Sequence, residues 1–185
     1  MGTPRREDGG RYRGARVKLK RLTLRGLTTF TSADPVRIDL GSMADGLIAV
    51  VGENGSGKTS LLSSVPAALY RAMPDRPGSL YDYCHGKDAF VQAVFEDQWG
   101  TEFEVRLNID AETRKTEQFL FCDGEPLTTG KAADNREQVA ELFGSYELLL
   151  ASVFASQSKA GDFLRMTKRD RKALMAELLG LNHLQ

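Results

Sequence analysis

Between Phe103 and Ile109 every second residue is apolar (Phe103, Val105, Leu107, Ile109), with Glu104, Arg106 and Asn108 in the gaps. A period of two predicts a half-buried strand over 102–109. Runs at 90–96 and 118–122 flank it. Asp123-Gly124 is a hairpin signal leading into a short fourth piece, so an antiparallel meander is predicted over about 88–130. Nearer the start, Val17, Leu19, Leu22 and Leu24 alternate with charged residues, with one slip, and Gly26 ends the run. Residues 35–40 alternate cleanly and should pair with that opening strand. Elsewhere the period is helical. Leu61, Leu62, Val65, Leu69 and Met73 predict a helix over 57–73, with Pro66 at a kink or local distortion, and 75–88 reads as loop. Val139, Leu142 and Phe143 mark a second helix, and Leu148 to Val153 is a further apolar stretch. A last helix is predicted from Thr167, whose side chain can cap it together with Asp170. Leu174, Leu178 and Leu181 form its stripe.

The chemistry lies between the opening hairpin and the first helix. Leu47-Ile48-Ala49-Val50-Val51 is a continuous apolar run suited to a buried strand. Gly52-Glu53-Asn54-Gly55-Ser56-Gly57-Lys58-Thr59 follows it and fits G-x-x-x-x-G-K-[ST] at every fixed position. In such a P-loop the glycines let backbone N–H groups face the phosphates at a helix N-terminus that already favours anions. Nucleoside triphosphate contacts are therefore predicted at Asn54, Gly55, Ser56, Gly57, Lys58, Thr59 and Ser60. Lys58 would reach the β- and γ-phosphates as the catalytic cation, and the Thr59 hydroxyl would bind Mg²⁺.

Composition narrows the class. The chain has 185 residues, 41% hydrophobic and 27% charged, the size and balance of one ordinary domain. No apolar stretch approaches the ~20 residues of a membrane span, so the expected setting is cytoplasmic, or nuclear in a eukaryote, with no membrane partner. Cys84 and Cys122 have no CxxC spacing and are expected as free thiols in a reducing compartment. Lys and Arg together balance Asp and Glu at 25 each, yet residues 1–25 hold nine basic residues against Glu7 and Asp8. Residues 1–16 read as a flexible basic leader. Such an arm can contact nucleic acid or be a solvated terminus.

Three blocks in order resemble the N-terminal half of SbcC-type ATPases, SMC-like DNA-repair proteins of the ABC ATPase superfamily. They are Leu19 to Phe30; the P-loop, with Asn54 where the family places asparagine; and Val153-Phe154-Ala155-Ser156-Gln157 followed by Gly161 to Leu164 and by Arg171, Leu174, Leu178 to Leu181. The third block looks like the family's Q-loop, a strand ending in glutamine before a helix that rises toward a coiled coil. The resemblance implies an α/β fold: a P-loop NTPase head of ABC/SMC-like type, its N-terminal lobe over 17–185, with an inserted antiparallel β-meander at about 88–130 and the Q-loop and helix at 153–185. It also implies a Mg²⁺-contacting role for Gln157, whose neutral amide can offer its oxygen to the ion or to a water beside the γ-phosphate. Thr28-Thr29 would lie near the nucleotide.

The family's second half carries a signature motif, a Walker B aspartate with its catalytic glutamate, and a switch histidine. No run of four apolar residues ends in Asp-Glu here, and no Ser-Gly-Gly phrase occurs. The expected function is thus the ATP-binding lobe of an SbcC-like ATPase in DNA double-strand-break repair. It would work with Mg²⁺, a complementary C-terminal lobe, a second head, DNA and an SbcD-type nuclease, and alone it would be inactive or very slow. Two alternatives stay open: an SMC- or RecF-like head lobe, and an ATP-binding module without turnover of its own.

Overall fold

A computed structural model of the chain describes residues 17–74, 76–128, 132–154 and 166–178. One six-stranded sheet organises it, in the order β2-β1-β3-β4-β5-β6. The strands are β1 (Val17–Arg25), β2 (Val36–Asp39), β3 (Ala89–Asp97), β4 (Glu102–Asp110), β5 (Lys115–Cys122) and β6 (Glu125–Pro126). Every neighbouring pair is antiparallel. The helices are α1 (Lys58–Tyr70), α2 (Ala132–Phe143), α3 (Tyr146–Ser152) and α4 (Lys168–Leu178), with a 3-10 turn at Leu80–Tyr83. The predicted leader at 1–16 lies outside the described residues.

The alternation that marks the strands also sorts the two faces of the sheet. Leu22, Leu24, Val91, Ala93, Phe103, Val105, Leu107, Ile109 and Leu120 are buried in one cluster. Helix α1 covers this face over β3 and β4, and α2 lies against β5. The meander is continuous with the opening hairpin, because β3 pairs along β1 from Val17↔Asp97 to Arg25↔Phe90. The slip in the opening alternation is a register shift between Leu19 and Arg21. There the Lys20 carbonyl accepts the N–H groups of both Leu40 and Gly41, at 2.8 Å each.

Two expectations change. The helix predicted to Met73 ends at Tyr70, with Arg71 in the left-handed region (φ 57°) and its N–H bonded to the Ala67 carbonyl at 2.9 Å. A side chain from the sheet fixes that end: Gln118 Nε2 donates to the carbonyls of Ala68 (2.6 Å) and Leu69 (3.0 Å). Helix α1 nevertheless runs unbroken through Pro66. The second change is larger. Leu47–Val51 forms no strand, and Leu47 and Val51 are 100% and 90% exposed. An all-apolar strand is stable only with hydrogen-bonded neighbours and cover on both faces. Among the described residues no strand pairs with it.

The third sequence block is also different where it can be seen. The apolar stretch before Val153 is helix α3, capped by Ser145 Oγ, which accepts the Leu148 N–H at 3.1 Å. Val153 is its αR C-cap residue and 77% exposed, so the strand expected to begin there does not. Gln157 lies outside the described residues. Helix α4 starts as predicted, with Thr167 Oγ1 accepting the Asp170 N–H at 3.2 Å and donating to the Asp170 carboxylate at 2.7 Å. Among the described residues no helix is long and apolar enough to cross a membrane.

Candidate nucleotide site

The P-loop is a short turn followed at once by a helix. The Ser56 N–H bonds to the Glu53 carbonyl at 3.2 Å, and the Leu61 N–H bonds to the Gly57 carbonyl at 2.8 Å, closing the first turn of α1. Gly57 is the N-cap, at φ 98° and ψ 10°, a left-handed conformation that L side chains rarely adopt. Two consequences follow for an anion. The amides of Lys58, Thr59 and Ser60 precede the first intrahelical bond, so the helix leaves them without partners. Gly57, the N-cap, supplies no capping side chain, and no acidic residue stands in the first turn. The positive end of α1 is therefore open to an external negative charge.

Lys58 lies across this loop. Its Nζ donates to the carbonyls of Gly52 (2.8 Å) and Glu53 (2.7 Å), bonds to neutral acceptors that a phosphate oxygen would outbid in charge. The Thr59 hydroxyl is on the exposed side of the helix start. Asn54, Gly55 and Ser56 form the exposed rim. Ser60 behaves differently from its neighbours: it is 2% exposed, and its Oγ accepts a hydrogen bond from Arg76 Nη2 at 3.1 Å. Only its backbone N–H is left to face a nucleotide.

The other wall of the site is the turn after β1. A Cβ placed on Gly57 would stand 2.9 Å from Phe30 Cζ and nearer still to Thr29 Oγ1. Thr29 thus lies against the Gly52–Thr59 loop. Phe30 and Arg76 are site-forming residues that sequence reasoning missed. Nothing in their local pattern marks either one, because their roles arise from contacts with residues 27 and 16 positions away.

The remaining candidates for chemistry are structural. Cys84 is buried, with its Sγ directed at the Leu80 carbonyl (3.2 Å), and burial pushes its thiol up to about 12. Cys84 and Cys122 are both free thiols. Among the described residues no group of three or more His, Cys, Asp or Glu side chains is arranged to hold a metal ion.

Over 146 residues, or 76% of its length, the chain is 29% identical to the DNA double-strand break repair Rad50 ATPase of Methanocaldococcus jannaschii. It is 28% identical over 91% of its length to the SbcC component of the SbcCD nuclease of Deinococcus radiodurans, and 20% identical over 86% to that of Bacillus subtilis. The chain spans 14% to 19% of these relatives' own lengths. A family model described as an AAA domain matches residues 21–183, which include the P-loop, the β1 turn and the whole meander. The chain belongs to this AAA domain family, a P-loop NTPase fold, and its relatives include DNA double-strand break repair Rad50 ATPases and C subunits of the SbcCD nuclease.

Proposed function

We propose that the chain is the ATP-binding lobe of an SbcC-like ATPase that acts in DNA double-strand-break repair with a partner nuclease. The observation that carries this reading is the uncapped start of α1, where the amides of residues 58–60 precede the first intrahelical bond and Lys58 Nζ lies across the same loop. A triphosphate suits it because the N-cap residue Gly57 has no capping side chain and no acidic residue stands in the first turn of α1. Mg²⁺, when bound, would neutralise charge on the β- and γ-phosphate oxygens, and Thr59 and Gln157 are the residues assigned to hold it. The amides of residues 58–60 would orient the phosphates. Lys58 would leave the Gly52 and Glu53 carbonyls and stabilise charge on the γ-phosphate.

Activation of water falls to a glutamate of a complementary lobe. The exposed run Leu47–Val51 supports such a partner, since an apolar segment of that kind gains stability once neighbouring strands cover it. Two heads would then close on ATP and gate access of DNA to the nuclease. DNA would meet basic surface such as Lys168, Arg169 and Lys172, which are exposed on α4, with Arg171 beside them.

The test is a titration of the purified chain with Mg-ATP, with turnover measured in parallel, for wild type and Lys58→Ala. Binding that Lys58→Ala weakens about tenfold or more, with negligible turnover, is the expected result. Robust turnover by the chain alone would place a general base within these residues and defeat the half-site reading.

A further inference from the structure

Behind the phosphate-binding loop, one side chain closes a circuit of contacts that the P-loop motif does not contain. Arg76 Nη2 donates to Ser60 Oγ at 3.1 Å, and its guanidinium carbon lies 5.1 Å from the centroid of the Tyr83 ring. The Tyr83 carbonyl accepts the Thr28 N–H at 2.7 Å, and the Tyr83 hydroxyl donates to the Pro77 carbonyl. His85 N–H bonds to the Gly26 carbonyl at 2.8 Å, fixing the same segment to the same turn. That turn carries Thr29 and Phe30, which press on Gly57, and Gly57 leads back through α1 to Ser60. The ring therefore runs Ser60, Arg76, Tyr83, Thr28, Phe30, Gly57.

We infer that Arg76 is a positioning residue for nucleotide binding: it holds the first turn of α1 against the β1 turn so that the amides of 58–60 converge on one phosphate. The inference rests on the reading of the P-loop as an ATP site. Arginine suits the task chemically, because a planar fork can donate to a hydroxyl at its edge while its face lies on an aromatic ring. Ser60 suits it because its hydroxyl is buried and points away from the exposed side where Thr59 stands. The segment that bears the ring is itself held firmly. Asp82 accepts the Ser79 N–H at 3.0 Å and pairs with Arg114 at 3.1 Å, and these two contacts, in that order, hold its carboxyl below the usual range. Arg76 thus transmits a rigid reference position to α1. Displacing converging donors by a fraction of an ångström lowers affinity without unfolding the domain.

The experiment is a Mg-ATP titration of the full chain for wild type, Lys58→Ala, Arg76→Gln, Arg76→Lys, Ser60→Ala and the Arg76→Gln/Ser60→Ala pair, each with its nucleotide-free unfolding midpoint. Arg76→Gln and Ser60→Ala should each weaken binding about tenfold. The pair should be no weaker than Arg76→Gln alone, because both changes remove one contact. Arg76→Lys should recover part of the affinity through a donor that still reaches Ser60. A purely structural role would lower the midpoint and leave the folded protein's affinity within twofold of wild type, and that result overturns the inference. So would losses that multiply in the pair, or a lysine as weak as the glutamine. If Arg76→Gln does not fold, Ser60→Ala decides alone: unchanged affinity there overturns it. Wild type that fails to bind ATP sinks the P-loop reading and this inference together. Binding lost in Lys58→Ala but kept in Arg76→Gln sinks only the inference.

Discussion

Gly57 and Phe30, 27 positions apart, are in such close approach that a Cβ on the glycine would stand 2.9 Å from the ring's Cζ. Gly57 also holds φ at 98°. Space and backbone therefore demand glycine for separate reasons. Gly57→Ala should cost about 1–3 kcal/mol of stability and abolish measurable Mg-ATP binding, because the β1 turn must retreat from the loop. Urea unfolding and a nucleotide titration check the two effects. A variant as stable as wild type, with intact binding, would show that the turn yields freely.

Gln118, 3% exposed, is the cap that ends α1. Gln118→Leu keeps the volume but leaves the Ala68 and Leu69 carbonyls without their donor in a buried place. A loss of about 1–3 kcal/mol is expected. It should appear as a lower urea midpoint with an unchanged m-value.

Cys84 sets a thiol-reactivity pattern and a pH dependence. With its thiol pushed up to about 12, it should not react with a disulfide reagent at pH 8 in the native chain and should react once urea unfolds the domain. The sign for stability follows from proton binding. Below about 9 the thiol is protonated in both states, so its contribution is fully present. As pH rises from 9 toward 12 the unfolded chain loses the proton first, and stability falls through that window. Cys84→Ala should flatten this part of the profile, read from urea midpoints between pH 8 and 11.

Trp99, the single tryptophan, sits 64% exposed at the tip of the β3–β4 hairpin. The tip is tied by Asp97 Oδ1, which accepts the N–H groups of Trp99 (2.8 Å) and Thr101 (2.9 Å). Its fluorescence should already be that of a hydrated indole and shift little on unfolding. Asp97→Ala should destabilise the domain by about 1–3 kcal/mol through the lost turn bonds, measured by circular dichroism rather than by tryptophan emission.

The strands of the meander were legible because their signal is local. A period of two, as at Phe103 to Ile109, forces one face inward wherever the partner strands come from, and Asp123-Gly124 closes a hairpin within a few residues. The helix after the P-loop and the Thr167 cap were legible for the same reason, since both depend on neighbours within a turn or two. The P-loop motif is a local backbone device, so its pattern is recognisable before any fold is known.

What lay beyond the sequence depends on contacts between distant segments. Pairing β1 with β3 joins residues about 70 positions apart, and no periodicity announces it. Leu47–Val51 has the composition of a buried strand but becomes one only when a partner supplies hydrogen bonds, which tertiary structure alone decides. The end of α1 at Tyr70 was set by Gln118 from the sheet, and the direction of the Ser60 side chain by Arg76. In each case local preference permitted several outcomes, and the choice fell to whichever distant group could satisfy a buried polar atom or cover an apolar face.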